Sequence, residues 1–177
     1  MSIRNEVRNR VGEGRLILLE PMIKGATHSR LIYAAPQLQM ELKEAWSEAG
    51  VQDRIGRLMA DFDHFSTGGL ITVSTGSERH AYMKQLDKLS EEVWEIRSRD
   101  PKPSLRIFGR FTEADVFIGT HMCTRPYLGY PGSKEWRDEF ERCKSEWRKL
   151  FQGYEPLSGE KINDYISENV VDLGQLK

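Results

Sequence analysis

Three short apolar runs within residues 82–127 constrain the fold of this chain more than any other feature. They cover residues 93–97, 105–111 and 116–121. Each is rich in β-branched or aromatic residues, and such runs are typical of strands when turn residues bound them. Residues 100–103 contain two prolines, which cannot continue a ladder of hydrogen bonds, and residues 112–115 suit a hairpin turn. The pattern therefore predicts a three-stranded antiparallel meander at about residues 93–121.

The predicted meander has two different faces, because side chains alternate across a strand. One face collects apolar side chains and is expected to pack on helices. The opposite face, called the charged face below, carries Arg97, Arg106, Phe108, Arg110 and His121. Guanidinium groups that flank an aromatic ring can bind phosphates and stack a base. The simpler alternative is a solvated face on which Arg97 pairs with a glutamate, because exposed charge is common on antiparallel sheets.

The rest of the chain predicts helices that cover the meander. Pro36 suits the first turn of a helix, and apolar residues then recur at helical spacing with a break at Gly50, so residues 37–65 are predicted to form a helical hairpin. A second amphipathic pattern steps by four and three residues along Trp136, Phe140, Cys143, Trp147 and Leu150. It predicts a helix at about residues 133–151, capped by Ser133, with Cys143 in the core.

Shorter patterns lie outside these elements. Residues 15–20 and 29–35 are strand candidates that stop at prolines, and residues 70–75 are an extended connector or an edge strand. Residues 1–14 are polar and form either a frayed arm or a short helix. The apolar positions within residues 162–166 predict one short docked helix. Together these elements indicate an α+β protein.

Length and composition are those of an ordinary soluble domain. The chain has 177 residues, of which 38% are hydrophobic and 30% charged, which predicts one domain with a substantial core. Its net charge of −1 lacks the basic excess of many nucleic-acid-binding proteins, so a nucleic-acid site must be a local patch. The chain has two cysteines without a C-x-x-C motif, no membrane-length apolar run and no signal-peptide segment. These features predict a cytoplasmic protein without a membrane partner.

The sequence lacks the common motifs of metal and cofactor sites, so we expect neither. It contains no H-E-x-x-H, no paired Cys/His spacing, no P-loop lysine and no G-x-G-x-x-G. Asp61 and His64 can share a helix face, as metal ligands or, more commonly, as helix-end polarity. Cys123 near His121 is either a reactive thiol or a small apolar residue at a strand end, and we favour the second interpretation.

Four segments around the meander resemble the RelE/HigB superfamily of bacterial toxins, most closely its phage-derived HigB-like branch. They are a K-x-L segment beginning at Lys84, the W-E-I-R strand ending at Arg97, the L-R-I-F strand containing Arg106, and an apolar strand ending at His121. The motif-level similarity covers about residues 84–125, and W-E-I-R is its most specific part.

The resemblance also implies a fold and a domain division. The order from Ser29 of strand, helix, helix, three strands and helix is similar to that of RelE-like domains. It implies a small antiparallel sheet packed on the helical hairpin, with the C-terminal helix added, over residues 29–151. Residues 1–28 would then be an N-terminal extension, and residues 152–177 a C-terminal tail.

The resemblance implies an endoribonuclease that cleaves mRNA, often on the ribosome, through attack by the RNA's own 2′-hydroxyl. Basic residues rather than a fixed triad would stabilise the charge that develops on the phosphate. The implied partners are an antitoxin protein and mRNA or the ribosome. The implied protein is a monomer or small homo-oligomer without a cofactor.

Site residues follow from the resemblance by position. Arg97 and Arg106 would clamp phosphate, Arg125 would stabilise the transition state, and His121 would act as acid or base. The implied RNA-binding residues are Lys84, Phe108, Arg110 and Tyr127.

The charge of the matched region keeps a second hypothesis open. Residues 84–125 contain eight basic and seven acidic residues, whereas the toxins are usually distinctly basic. RNA affinity depends on neutralising phosphates. The alternative is therefore a non-catalytic RelE-like scaffold that binds protein or RNA, with its arginines engaged by Glu92, Glu95 or the tail. An unrelated small α/β enzyme is a third possibility, ranked last because no other catalytic constellation is present.

Overall fold

The computed structural model describes residues 2–47, 51–77, 80–86 and 89–175. In these residues the chain forms one eight-stranded mixed sheet and five α-helices. The elements in chain order are α1 (Ile3–Gly12), β1 (Ile17–Leu18), β2 (Leu31–Ala34), α2 (Pro36–Ser47), α3 (Gln52–Ser66), β3 (Ile71–Ser74), β4 (Met83–Gln85), β5 (Trp94–Ser98), β6 (Leu105–Glu113), β7 (Val116–Thr124), α4 (Lys134–Leu150), α5 (Ile162–Tyr165) and β8 (Val170–Asp172).

The strand order across the sheet is β1-β2-β7-β6-β5-β4-β3-β8. Strands β5, β6 and β7 form the predicted antiparallel meander. Strand β2 runs parallel to β7, and β3 runs parallel to both β4 and β8. The sheet is therefore larger than the small sheet that we expected, because short strands extend the meander on both sides. Strand β3 lies between two others rather than at the edge.

The two helices of the predicted hairpin are confirmed as α2 and α3, which cover one face of the sheet, whereas the break predicted at Gly50 lies outside the described residues. Leu38 of α2 and Leu58 and Phe62 of α3 are buried against the apolar side of the meander. The short helix predicted in the tail is also confirmed as α5. Its Ile162 and Tyr165 belong to the same core, so the tail contributes to the packing of the sheet.

Helices α1 and α4 cover the opposite face. The predicted cap is confirmed, because the Ser133 side chain accepts a hydrogen bond from the Trp136 amide. At the other end of α4, Arg10 Nε donates to Leu150 O and Arg15 Nη2 donates to Lys149 O, each at 2.7 Å. These guanidiniums satisfy carbonyls that a helix end leaves without partners. The polar residues 1–14 thus contain a helix that holds the end of α4.

Strict alternation fails in β7, where a β-bulge changes the side on which residues lie. Phe108 pairs with His121 but Gly109 pairs with Gly119, so Thr120 is the extra residue. Regular alternation along β7 would place Phe117 and His121 on one face, because they are four residues apart. Instead Phe117 packs in the core on the α2–α3 side, whereas His121 lies under α4. A bulge produces this change because one additional residue reverses the alternation.

The C-terminal tail is fastened to the body of the sheet by Arg30, which is 2% exposed. Its guanidinium donates to four backbone carbonyls, those of Phe65, Gly69, Glu168 and Asn169. The tail continues into β8, which pairs with β3. Across the described residues, no helix is both long and apolar enough to cross a bilayer.

Candidate functional site: an arginine cluster beside a buried glutamate

The register of the meander brings three predicted site residues together. Arg97 on β5 pairs with Arg106 on β6, and Arg106 pairs with Cys123 on β7. Arg125 lies two residues beyond Cys123 and therefore projects from the same face. Its backbone amide donates to Ser104 O, which fixes the chain there. Arg97, Arg99, Arg106 and Arg125 are called the arginine cluster below.

Glu95 lies inside this cluster with 0% exposure. Its Oε1 accepts a hydrogen bond from Arg97 Nε at 2.6 Å, and its Oε2 is 3.5 Å from Arg106 Nε. Only about a tenth of either arginine side chain is exposed, 10% for Arg97 and 11% for Arg106. One carboxylate thus bridges two guanidiniums, which is the pairing that the second hypothesis predicts for Glu95.

The cluster places like charges close together in a partly dehydrated environment. Burial lowers the pKa of Arg106 to about 10; Glu95 opposes this effect, whereas the positive charges of Arg97, Arg125 and Arg99 add to it. Among the described residues, no hydrogen-bond acceptor reaches Arg106 Nε, although Arg106 Nη1 donates to Leu105 O at 2.9 Å. An added anion would stabilise such a group, because it would supply the charge and acceptors that water no longer provides.

Arg125 and Tyr127 form the more accessible border of the cluster. Arg125 is half-buried; its Nη1 donates to Gly129 O at 2.6 Å, and its guanidinium carbon lies 5.8 Å from the ring centroid of Trp136. Tyr127 is 52% exposed. The negative charge of Glu139 raises the pKa of the Tyr127 hydroxyl, which therefore stays protonated at neutral pH and can donate a hydrogen bond.

His121 and Phe108 lie beneath α4, each with 0% exposure. Their rings stack at 4.9 Å with an interplanar angle of 7°. His121 Nε2 is 2.8 Å from Glu139 Oε2, and its Nδ1 is 2.9 Å from Thr120 Oγ1. The contact with His121 lowers the pKa of Glu139. Neither ring presents a surface to solvent, so the prediction of an open charged face is wrong at these two positions.

Arg110 is separated from the cluster, whereas Lys84 lies beside it. Arg110 is 6% exposed, donates to Glu91 O and lies 5.3 Å from the Trp147 ring centroid, under the C-terminal half of α4. Lys84 is half-buried on β4 and pairs with Glu95 in the sheet register. Arg110 therefore packs as part of the α4 interface, whereas Lys84 borders the buried glutamate.

The sequence interpretation did not single out Arg99 of the cluster or Glu139, the partner of His121. Arg99 follows Glu95 and Arg97 at spacing two, but the apolar run ends before it, so the strand pattern did not include it. Glu139 of α4 contacts His121 of β7, a partner that is distant in the sequence. That contact depends on how α4 lies on the sheet, and no local pattern specifies it.

The other candidate groups have structural partners. Burial raises the pKa of Cys123 to about 12, which keeps the thiol protonated and agrees with a strand-end role. The Asp61 carboxylate accepts a hydrogen bond from Ser98 Oγ and lies 3.2 Å from Arg57 Nε. His64 Nε2 is 3.0 Å from Leu70 O. Within the described ranges, no three His, Cys, Asp or Glu side chains are arranged to hold a metal ion.

Comparisons with known proteins found no relative: no family model, curated protein or solved structure matches the chain. The RelE/HigB resemblance stays a prediction from the sequence. What the structure establishes is a mixed α+β protein with an arginine cluster at one end of its meander.

Proposed function

We propose that the protein is a RelE-like endoribonuclease that binds an RNA phosphodiester at the arginine cluster. The observation that supports this proposal is the environment of Arg106, a poorly hydrated guanidinium within the field of Arg97, Arg125 and Arg99. An RNA phosphate matches this environment because guanidiniums bind phosphate oxygens through paired, charge-assisted hydrogen bonds. The sequence motifs around Arg97 and Arg106 supply the link to RNA rather than to another phosphate ester.

The proposed reaction uses the RNA's own nucleophile. The 2′-oxygen attacks the adjacent phosphorus, the bond from phosphorus to the 5′-oxygen breaks, and the products carry a 2′,3′-cyclic phosphate and a 5′-hydroxyl. The 2′-proton passes to solvent. Arg106 and Arg125 would stabilise the charge on the phosphorane oxygens, and the hydroxyl of Tyr127 would give its proton to the departing 5′-oxygen and regain one from solvent. His121 has no part in this scheme because α4 buries it.

A second candidate function is RNA binding without cleavage on the same scaffold. The bridging position of Glu95 between Arg97 and Arg106 favours it, since one carboxylate already offsets part of the positive charge of the cluster. The burial of His121 favours it as well, because the predicted acid or base is remote from solvent. Binding alone needs only the cluster, whereas cleavage also needs an in-line geometry at the phosphate.

The test compares Arg125→Ala with Arg8→Ala, which removes an equal charge from an exposed position on α1. Arg125 is preferred to Arg106, because removing Arg106 would leave Glu95 buried beside a single partner. We expect wild type and Arg8→Ala to cut a labelled single-stranded RNA into cyclic-phosphate ends, and Arg125→Ala to cut about 10²-fold more slowly.

Binding is measured separately with a 2′-O-methyl RNA, which lacks the attacking hydroxyl. Binding without cutting by the wild type would select the second candidate. No binding by the wild type would refute both. Induced expression in bacteria adds an independent readout, since the nuclease should arrest growth and Arg125→Ala should not.

A further inference from the structure

We propose that Glu95 is an internal counter-ion that competes with RNA phosphate for Arg97 and Arg106 and so sets the affinity of the arginine cluster. This inference rests on the proposed function, because it concerns the same site. It assigns a specificity-determining role to a residue that neither binds RNA nor takes part in the reaction.

The geometry of Glu95 is that of a ligand already in place. The strand register places Glu95 opposite Phe108, two residues before Arg97 and two pairs along the ladder from Arg106, so its carboxylate lies on the same face as both arginines. Its two oxygens face Arg97 Nε at 2.6 Å and Arg106 Nε at 3.5 Å. Phosphate oxygens would seek these same guanidiniums, and a carboxylate offers the same paired acceptors. With 0% exposure, Glu95 has no contact with solvent in this arrangement.

Two consequences follow for an incoming anion. The Glu95 carboxylate holds the two guanidiniums together against their mutual repulsion when no ligand is bound. It also repels the anion and reduces the net charge of the Arg97–Glu95–Arg106 group to one positive charge. A single free phosphate then gains little, whereas a phosphodiester chain that also reaches Arg125 gains from several contacts at once. Glu95 would thus favour polyanionic strands over free phosphate.

The test variant is Glu95→Gln, which removes the charge of the side chain but keeps its shape. The probe is the 2′-O-methyl single-stranded RNA, titrated at several salt concentrations. We expect the dissociation constant to fall about tenfold, because one repulsive charge near the phosphate is removed at a partly solvated site. We also expect the slope of log affinity against log salt to steepen by about 0.7, since the site then carries one more net positive charge.

The matched control is Glu113→Gln, which makes the same charge change at the far end of β6, where Glu113 pairs with Arg4. Its affinity and salt slope should stay within about twofold of the wild type, since exposed charges beyond a Debye length of about 10 Å are largely screened. A purely structural role for Glu95 predicts that Glu95→Gln weakens both stability and binding. The proposal predicts weaker stability and tighter binding, so the two effects have opposite signs.

A second comparison keeps the inference testable if Glu95→Gln does not fold. The double variant Glu95→Gln/Arg97→Gln loses one negative and one positive charge, so its net charge equals that of the wild type. It is compared with Arg97→Gln alone. We expect the double variant to bind the RNA about tenfold more tightly than Arg97→Gln, for the same electrostatic reason. Equal affinities of these two variants would overturn the counter-ion role.

The outcomes separate this inference from the proposed function. If neither the wild type nor Glu95→Gln binds the RNA, the proposed function fails and this inference fails with it. If the wild type binds and folded Glu95→Gln binds with unchanged or lower affinity, only the counter-ion role is wrong. If the wild type binds and folded Glu95→Gln binds about tenfold more tightly, both the proposed function and the counter-ion role are supported.

Discussion

The charged face of the meander has two parts that look alike in sequence and differ in structure. Phe108, Arg110 and His121 lie under α4 and are almost completely buried. Arg106 and Arg125 lie at the end of the meander beside the first turn of α4, where Arg106 is 9% exposed, Arg125 is half-buried over Trp136, and Tyr127 provides an exposed border. Period-two alternation identifies the residues that share a face, but it does not say what covers that face. The covered part should therefore determine stability, and the open part should determine ligand binding.

The largest expected effect tests the covered part. Phe108→Ala should lower the free energy of unfolding by about 3–5 kcal/mol, because it leaves a cavity between His121 and α4. RNA affinity per folded molecule should stay near that of the wild type. Urea denaturation and the binding titration would measure the two quantities. A large loss of affinity without a loss of stability would show that the division into two parts is wrong.

A smaller effect is expected from the polar contact beneath α4. The contact with His121 holds the pKa of Glu139 below its usual value of 4.5. A lowered carboxyl pKa adds stability above about pH 4.5, and that contribution disappears as the pH falls through the folded-state value. Glu139→Gln should therefore be less stable than the wild type at pH 7, by about 1–3 kcal/mol.

The measurement for Glu139 is the free energy of unfolding from pH 7 to pH 3. The difference between the wild type and Glu139→Gln should shrink below pH 4.5. A constant difference across this range would mean that the Glu139 carboxylate does not stabilise the interface through its charge.

The smallest stability effect is expected in the open part. Arg125→Ala should change the free energy of unfolding by less than about 1 kcal/mol, since it loses a partly exposed cation–π contact and one hydrogen bond. Its effect on RNA cleavage should nevertheless be much larger than that of Phe108→Ala. A destabilisation of several kcal/mol would instead place Arg125 among the structural residues.

Much of the fold could be predicted, because the decisive patterns are local. The meander, the helical hairpin, α4 and its Ser133 cap each follow from spacing or capping within a few residues. Strands β4 and β8 could not be predicted, since each has three residues and no distinct alternation. They form because neighbouring strands present open hydrogen-bonding edges, which is a property of the assembled sheet.

The candidate site shows the same division between local and long-range information. The convergence of Arg97 and Arg106 followed from alternation on paired strands. The position of His121 did not, because the bulge at Thr120 reverses its side and α4 then covers it. Glu95 was named as a possible partner of the arginines, but its complete burial depends on packing that no pattern near it describes.

The hydrogen bonds from Arg30 to four backbone carbonyls determine where the chain can be truncated without loss of structure. A chain cut after residue 151 would remove Glu168 and Asn169 and leave a buried cation with about half of its acceptors. It would also remove β8 and turn β3 into an open strand edge. Such an edge can recruit another chain, so trimming to the predicted domain would favour aggregation over a minimal soluble unit.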